Sequence, residues 1–362
     1  MKFTTKKSEL LRAVNIVGRL ASTRATLPIL QNIYIETDGN LLKLRSTDLE
    51  QTIEADVEGR VEENGAITIP ARLFVDYLQN NTDEQVTLET TDLTLHINSS
   101  NHKAKMKGMD AGEYPSLPQL KSEISITLDP TVLNQAITQT IFTAASDDTR
   151  PILTGLLFYF KEKQLTIVGT DGYRLAYAKV EISQPLNGNF ILPKRSLQEL
   201  LRLMGEEEVT FLLTNSQARF VSGNIRLITR VLDGSFPPYE NIIPKTKKIE
   251  VRLSSSAFLQ SLKLASLFSR DSAYSTKIEL DGKKLRVTAV SPQLGENSNE
   301  IALEKAIATS FTISANAQYL IDVLQVVSGD IILSLIDEKS PIVISLPDNQ
   351  SYLYLVMPLR NS

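Results

Sequence analysis

FTTKKSELLRAVNIVGRL (3–20) decides the fold of this chain, because the same phrase returns twice. It recurs as ITLDPTVLNQAITQTIFTA (126–144) and as VRLSSSAFLQSLKLASLFS (251–269), at offsets of 123 and 125 residues. Each copy opens with a short alternating lead and continues with apolar residues at helical spacing. In the first copy Leu10, Leu11, Val14, Val17 and Leu20 follow the helical period, while Lys6, Asn15 and Arg19 fall off it. A second helical phrase also occurs three times, as IPARLFVDYL (69–78), LPKRSLQELLRLM (192–204) and ISANAQYLIDVL (313–324), with offsets of 123 and 121. Two phrases in one register argue against coincidence. The period is too long for a solenoid unit and suits a whole domain. The chain therefore reads as one domain in three copies, residues 1–122, 123–248 and 249–362, joined near LPQLKSE (117–123) and KTKKIE (245–250).

Between the helical phrases the residues alternate apolar and polar, as in LPILQNIYIETDG (27–39), NLLKLRSTD (40–48), TGLLFYFKEKQLTIVGTDG (154–172) and STKIELDGKKLRVTAV (275–290), with Asp-Gly punctuation. Each copy then holds two short helices and about eight strands. The expected class is α+β, antiparallel sheets with the helices gathered on one face.

Composition narrows the chemistry. The chain of 362 residues has no cysteine, so a disulfide framework, a zinc–thiolate site and a thiol nucleophile are excluded. The start, MKFTTKKSELL, lacks the apolar run of a signal peptide, and there is no stretch of 18 apolar residues; the expectation is a cytoplasmic protein with no membrane partner. No phosphate-binding glycine loop, nucleophile elbow or HExxH occurs, and the two histidines, His96 and His102, lie together in the first copy. Asp147 and Asp148 stand side by side in TAASDDTRP, which is the composition of a solvated loop rather than a catalytic dyad. No catalytic residue, metal site or cofactor is expected.

Charge points elsewhere. The net charge is −4, which taken alone disfavours a nucleic-acid partner. The six expected helical windows are 6–20, 70–79, 130–145, 193–204, 256–270 and 315–327. They carry ten basic residues against four acidic ones, a net of +6, leaving −10 for the rest of the chain. The helices thus offer a basic face on an acidic protein.

Two segments remain unexplained by folding alone. In GTDGYRLA (169–176), Thr-Asp-Gly forces a turn after an apolar strand, with Gly172 free to take positive φ, and Tyr173, Arg174 and Leu175 leave it. The first copy has TDLE (47–50) at this place, and no TDG occurs in the third. The tail YLYLVMPLRNS (352–362) ends an apolar strand in Met357-Pro358-Leu359, and exposed apolar groups of this kind mark contact sites.

With these residues on the page, the chain resembles the bacterial sliding clamp family, the β subunits of DNA polymerase III. The resemblance runs the whole length. Its segments are MKFT (1–4), RATLPILQNIYIE (24–36), STDLE (46–50), IPAR (69–72), YPSLP (114–118), GTDGYRLA (169–176), LPKRS (192–196), LDGSFPPYENIIP (232–244), NAQYLIDVL (316–324) and VMPLR (356–360). It departs from the family pattern at Tyr173, where His is frequent, at Asn241 and Lys339, and in two residues beyond Arg360.

The resemblance implies the DNA clamp fold, closed into a ring of six similar domains by a head-to-tail homodimer. Duplex DNA would pass through without sequence readout. It implies no catalysis, a nucleoid-associated place in the cytoplasm, and as partners the DNA polymerase III α subunit, the clamp loader, and other polymerases and repair proteins bearing clamp-binding peptides. The expected phosphate-facing residues are Arg24, Arg72, Lys194 and Arg195, with Arg12 and Arg202. The expected peptide pocket takes Leu153, Thr170, Gly172, Tyr173, Arg174 and Leu175, then Pro237, Asn241 and Ile242. From the third copy it takes Asn316, Tyr319 and Ile342, and from the tail Val356, Met357, Pro358, Leu359 and Arg360. The expected dimer contact sets Ala104 and Met106 of one chain against Leu267 and Phe268 of the other. Two other readings are a specialised paralogue of the same ring and an enzyme on a repeated scaffold. The lack of any nucleophile, metal or phosphate motif weighs against the enzyme.

Overall fold

The computed structural model describes residues 1–21, 27–116, 124–347 and 349–359. Strand β1 (Lys2–Lys6) runs into helix α1 (Lys7–Val17). Strands β2 (Asn32–Asp38), β3 (Leu41–Thr47), β4 (Gln51–Glu58), β5 (Arg60–Glu63) and β6 (Ala66–Pro70) lead to helix α2 (Ala71–Asn80). Strands β7 (Gln85–Thr91), β8 (Thr94–Asn98) and β9 (Lys103–Lys107) close the first copy. The plan then repeats with β10 (Ile124–Leu128), α3 (Pro130–Ile141) and two long strands, β11 (Gly155–Thr170) and β12 (Arg174–Pro193). Helix α4 (Lys194–Leu203), β13 (Val209–Leu213), β14 (Gln217–Ser222) and β15 (Ile225–Arg230) complete it. The third copy runs β16 (Ile249–Ser254), α5 (Ser255–Ser266), β17 (Ser275–Ser291), β18 (Gly295–Asn316) and α6 (Ala317–Leu324), then β19 (Asp330–Leu335), β20 (Ile342–Leu346) and β21 (Asn349–Val356).

Every expected helical window holds a helix, and the helices bury one stripe: Leu10, Val14 and Val17 in α1, Phe74 and Leu78 in α2, Phe258 and Leu262 in α5. Several stop short of the expected window. In α3 the Thr140 hydroxyl donates to the carbonyls of Ala136 (2.8 Å) and Ile137 (3.1 Å), and Thr143 Oγ1 donates to Thr140 O (2.6 Å). Hydroxyls that take the carbonyls of the last turn compete with its continuation. Among the described residues no helix is long and apolar enough to cross a membrane.

The described residues pack as two compact units, Met1–Pro130 with Gln198–Val231, and Thr131–Leu197 with Leu232–Ser362. These units cut across the three sequence copies because strand ladders do. In the first unit β15 of the second copy pairs with β4 of the first, Leu227 facing Ile53 and Ile225 facing Ala55, which completes the sheet β10-β13-β14-β15-β4-β3-β2-β6. Arg226 clamps this seam with donors at 2.6 and 2.8 Å from the two oxygens of Asp56. In the second unit β21 of the third copy pairs with β12 of the second, Leu355 facing Leu175, in the sheet β11-β12-β21-β20-β19-β16. The second and third copies therefore each lend their final strands to the sheet of the copy before.

Of the edge strands among the described residues, two stand where the repeat elsewhere joins one copy to the next: β9 holds the place of β15 and β21, and β18 that of β4 and β12. β9, the last strand of the first copy, has β8 as its one neighbour in the sheet β5-β1-β7-β8-β9. β18 has β17 as its one neighbour. The turn leading into β9 is held by Asp83, whose carboxylate accepts from Asn101 N (2.9 Å) and Asn101 Nδ2 (2.7 Å) and sits 3.0 Å from His102 Nδ1. Hydrogen bonds from Ser99, Asn101 and His102 hold that carboxyl well below the usual carboxylate range. A depressed folded pKa means stabilisation that is complete above the ordinary carboxylate range and lost as pH falls below it. We expect Asp83→Ala to speed hydrogen exchange at the Asn101 amide by about tenfold at neutral pH, the effect of losing one charge-assisted bond. Unchanged exchange there would show that the turn is held by its backbone alone.

Candidate functional site

The site in the second unit is built on the seam of β12 and β21. Arg174 pairs with Val356 and Leu175 with Leu355, while Ile342 of β20 also faces Val356. The TDG turn is shaped by two side chains. Thr170 Oγ1 donates to Arg174 O (2.7 Å) and accepts from Gly172 N (3.1 Å). Asp171 Oδ1 accepts from the amides of Tyr173 (2.9 Å) and Arg174 (3.0 Å). Gly172 takes φ +91°. The turn holds Tyr173 out, 65% exposed, and Tyr173 O accepts from Met357 N at 2.8 Å.

The first unit carries the same turn. Thr47 Oγ1 donates to Gln51 O (2.9 Å) and accepts from Leu49 N (3.1 Å). Asp48 Oδ1 accepts from the amides of Glu50 (3.1 Å) and Gln51 (2.8 Å). Leu49 stands at φ +76° where the second copy has glycine. The Thr-Asp pair, not glycine, dictates this geometry, and Leu49 bears the strain of a left-handed backbone. The third copy has a related turn despite lacking TDG: Ser291 Oγ accepts from Gln293 N and Leu294 N at 3.3 and 3.2 Å, ahead of Gly295 at φ +99°.

The expected pocket residues separate into three groups. Tyr173, Ile242 and Met357 are exposed apolar groups, with Pro237 and Asn241 exposed and Pro358 and Leu359 half-buried near them in sequence. Leu153, Gly172 and Tyr173 line a cavity of about 260 Å³ together with Arg150, Asp147 and Asp171. Leu175, Ile342 and Val356 are buried and support the surface rather than form it. Leu175 packs with Leu157, Val168, Ile191, Val343 and Leu355, beneath half-buried Phe236, Tyr239 and Ile243. Truncating it would open a cavity costing about 2–5 kcal/mol of stability, so Leu175→Ala reports on folding as much as on docking.

Two further residues have internal duties. Asn316 caps α6, its Oδ1 accepting from Gln318 N (2.8 Å) and Tyr319 N (3.2 Å). Arg174 is 11% exposed at its side chain. Its guanidinium donates to Asp171 Oδ2 (3.0 Å), to Asp322 Oδ2 and to Phe142 O (2.9 Å), and lies 4.4 Å from the ring centre of Tyr319. Burial works against its charge, but the bond to Asp322 and the nearby acidic groups outweigh it and raise its pKa. The sequence reading missed Asp322, Asp171 and Arg150. Asp171 was visible beside Gly172; Asp322 had no local signal. Arg360 lies outside the described residues.

The basic residues divide as well. Arg72 on α2 is 85% exposed, its nearest carboxylate Asp76 at 3.9 Å. Arg12 on α1 and Arg195 on α4 are exposed. Arg202 is exposed and pairs with Glu199 one turn back. Lys194 is turned inward, its Nζ donating to Ala144 O at 2.9 Å, and burial followed by the charge of Arg174 lowers its pKa. Arg24 lies outside the described residues. Of the expected dimer residues, Met106 is buried and Ala104 half-buried on β9, Phe268 is half-buried, and Leu267 is 47% exposed with Leu264 beside it, one helical turn earlier. Among the described residues no group of three or more acidic or histidine side chains is placed to hold a metal.

Comparison with known proteins gives one answer over the whole length. Family models of the DNA polymerase III beta subunit match in three parts, the N-terminal domain at 1–118, the central domain at 127–238 and the C-terminal domain at 240–360. A beta sliding clamp of Bacillus subtilis is 30% identical over 377 residues, covering 99% of this chain and 100% of that protein. One from Staphylococcus aureus is 28% identical, with 99% of both chains covered. The crystal structure of the Bacillus subtilis sliding clamp superposes with a TM-score of 0.96 at 28% identity, both chains covered completely. A sliding clamp of Pseudomonas aeruginosa bound to griselimycin does so with 0.95 at 25% identity, again over 100% of both chains.

Proposed function

The chain belongs to the DNA polymerase III beta subunit family, and on that premise we propose that it is the processivity clamp of DNA replication, a homodimeric ring around duplex DNA. The observation that carries the assembly is the way strands join one copy to the next, and the two edges at which that join is missing. β15 completes the sheet containing β4, and β21 completes the sheet containing β12. By the same rule β9 should complete a sheet through β18, and the two stand in the first and third copies of the repeat. A second copy supplies each missing partner, head to tail, and two such junctions close the assembly. The charges agree. β9 presents Lys103, Lys105 and Lys107, and β18 presents Glu296 and Glu304, while Glu300 between them is already bonded to Lys284 and Arg286. Unpaired edges are otherwise an aggregation hazard.

The three-copy division at residues 1–122, 123–248 and 249–362 is part of this reading, and it gives six domains per ring. Arg72 and Arg195, with Arg12 and Arg202, would face the DNA, and Arg24 belongs with them by the resemblance. Lys194 has the weaker claim, because its ammonium already has an internal acceptor. The exposed trio Tyr173, Ile242 and Met357 would receive the apolar anchors of clamp-binding peptides from the polymerase α subunit, the clamp loader and repair proteins. Short peptides dock in this way on mostly apolar grooves with a polar rim. The protein would act in the cytoplasm, with no reaction of its own.

Retention on DNA tests the ring. Loaded protein should stay on nicked circular DNA and slide off once the circle is cut. Charge reversal of Arg72 and Arg195 to Glu should cut binding to linear duplex and flatten its salt dependence, reducing the slope by about one unit or more per lost phosphate contact per chain, while the dimer persists. Equal retention on cut and intact circles would overturn the encircling mechanism. An unchanged salt slope would remove these two residues from the DNA face.

A further inference from the structure

The turn that displays Tyr173 is fastened to helix α6 by a residue outside every expected site. Asp322 accepts from the guanidinium of Arg174, which also donates to Asp171 at 3.0 Å within the turn. Gln318 Nε2, one turn back on α6, donates to the other oxygen of Asp322 at 2.8 Å and fixes its orientation. The Tyr319 ring, three residues before Asp322 on the same helix, lies 4.4 Å from the guanidinium carbon. Tyr319 O accepts from Tyr354 Oη at 2.7 Å, which joins α6 to strand β21 and so to the tail. The turn, the helix and the last strand thus meet at one guanidinium that is largely shielded from solvent.

We propose that Asp322 is a positioning residue for peptide docking: through Arg174 it holds the Thr170–Arg174 turn against α6, so that Tyr173 and Tyr319 keep the relation a docked peptide meets. The inference rests on the docking reading above. The physical reason is directional. An ion pair with a second carboxylate inside the turn and an aromatic face beside it leaves the guanidinium one orientation, and a guanidinium in one orientation leaves the turn one place. A neutral residue at 322 would let the turn drift and would leave Arg174 with less compensation for its charge.

The test uses the full-length dimer and a fluorescein-labelled peptide from the C-terminus of the replicative polymerase of the same organism. Asp322→Asn should weaken that peptide about tenfold, the scale of one charge-assisted hydrogen bond. Asp322→Glu should recover much of the loss. Arg174→Gln should weaken binding too, and the double variant should lose no more than the worse single one, because the two residues act as a unit. A second readout separates positioning from general damage. In Asp322→Asn, a version of the peptide with one added Asp should gain relative affinity, since the turn is now more positive, and retention on circular DNA should be unchanged. Full affinity in Asp322→Asn, or additive losses in the double variant, would overturn the proposal. If Tyr173→Ala and Met357→Asp also leave the peptide unaffected, the docking reading itself fails; if those weaken it and Asp322→Asn does not, only the role of Asp322 fails.

Discussion

A chain carrying Leu264→Asp and Leu267→Asp is expected to run as a folded monomer at micromolar concentration, where the native chain runs as a dimer. Both leucines lie on the outer face of α5 and its C-terminal turn and are nearly half exposed in the single chain, so the isolated fold loses little by their replacement. In a dimer they would be enclosed against the β9 edge. Each would then forfeit about 1 kcal/mol of apolar burial, roughly half the value of a fully exposed leucine, and an unpaired carboxylate in an apolar contact adds a further penalty of about 1–3 kcal/mol. Together these shift the dimer dissociation constant by at least about three orders of magnitude. Phe268 is a poorer choice because it is half-buried already, and its loss would confuse folding with assembly. Light scattering across a concentration series decides the matter. A dimer of native stability in this variant would place the interface away from the β9 and β18 edges.

The second large effect concerns docking. Tyr173→Ala and Met357→Asp should each weaken a clamp-binding peptide by about 1–3 kcal/mol, as the loss of an anchor contact does, with the melting temperature and the dimer intact. Both side chains are exposed, and the backbone bond from Met357 N to Tyr173 O survives either change. Calorimetry on the dimer should also show two equivalent peptides per ring. The related turn in the first copy offers Glu50 where Tyr173 stands, and the third offers Leu294, so only one turn per chain combines Tyr173 with the tail. Unchanged affinity in both variants would show that peptides dock away from this surface. Ablation of binding by Ile242→Asp alone would shift the centre of the site toward the FPPYENII segment.

The repeat was legible in the sequence because helical phrases are local and periodic. Six helices stand where the apolar spacing put them, and TDG forms its turn through Thr170 and Asp171, which lie within four residues of every group they bond. The basic bias of the helices needed only counting. The resemblance pointed to Arg174, Leu175, Lys194 and Asn316 as site residues, yet could not say what each side chain does. That depends on neighbours far along the chain: Asp322 is 148 residues from Arg174, and Ala144 is 50 from Lys194. The same holds for the sheets. Alternation marks a strand and its inner face but carries no record of which edge it will join, so the pairing of β15 with β4 and of β21 with β12 was invisible until the backbone was in place. The sequence by itself determined the threefold copy, the positions of the helices, the turn chemistry and the absence of catalytic motifs. Only the tertiary structure decided that the second and third copies each finish the sheet of the copy before, and that β9 and β18 are edges paired on one side, because backbone hydrogen bonds join residues by proximity in space and leave no trace in the order of side chains.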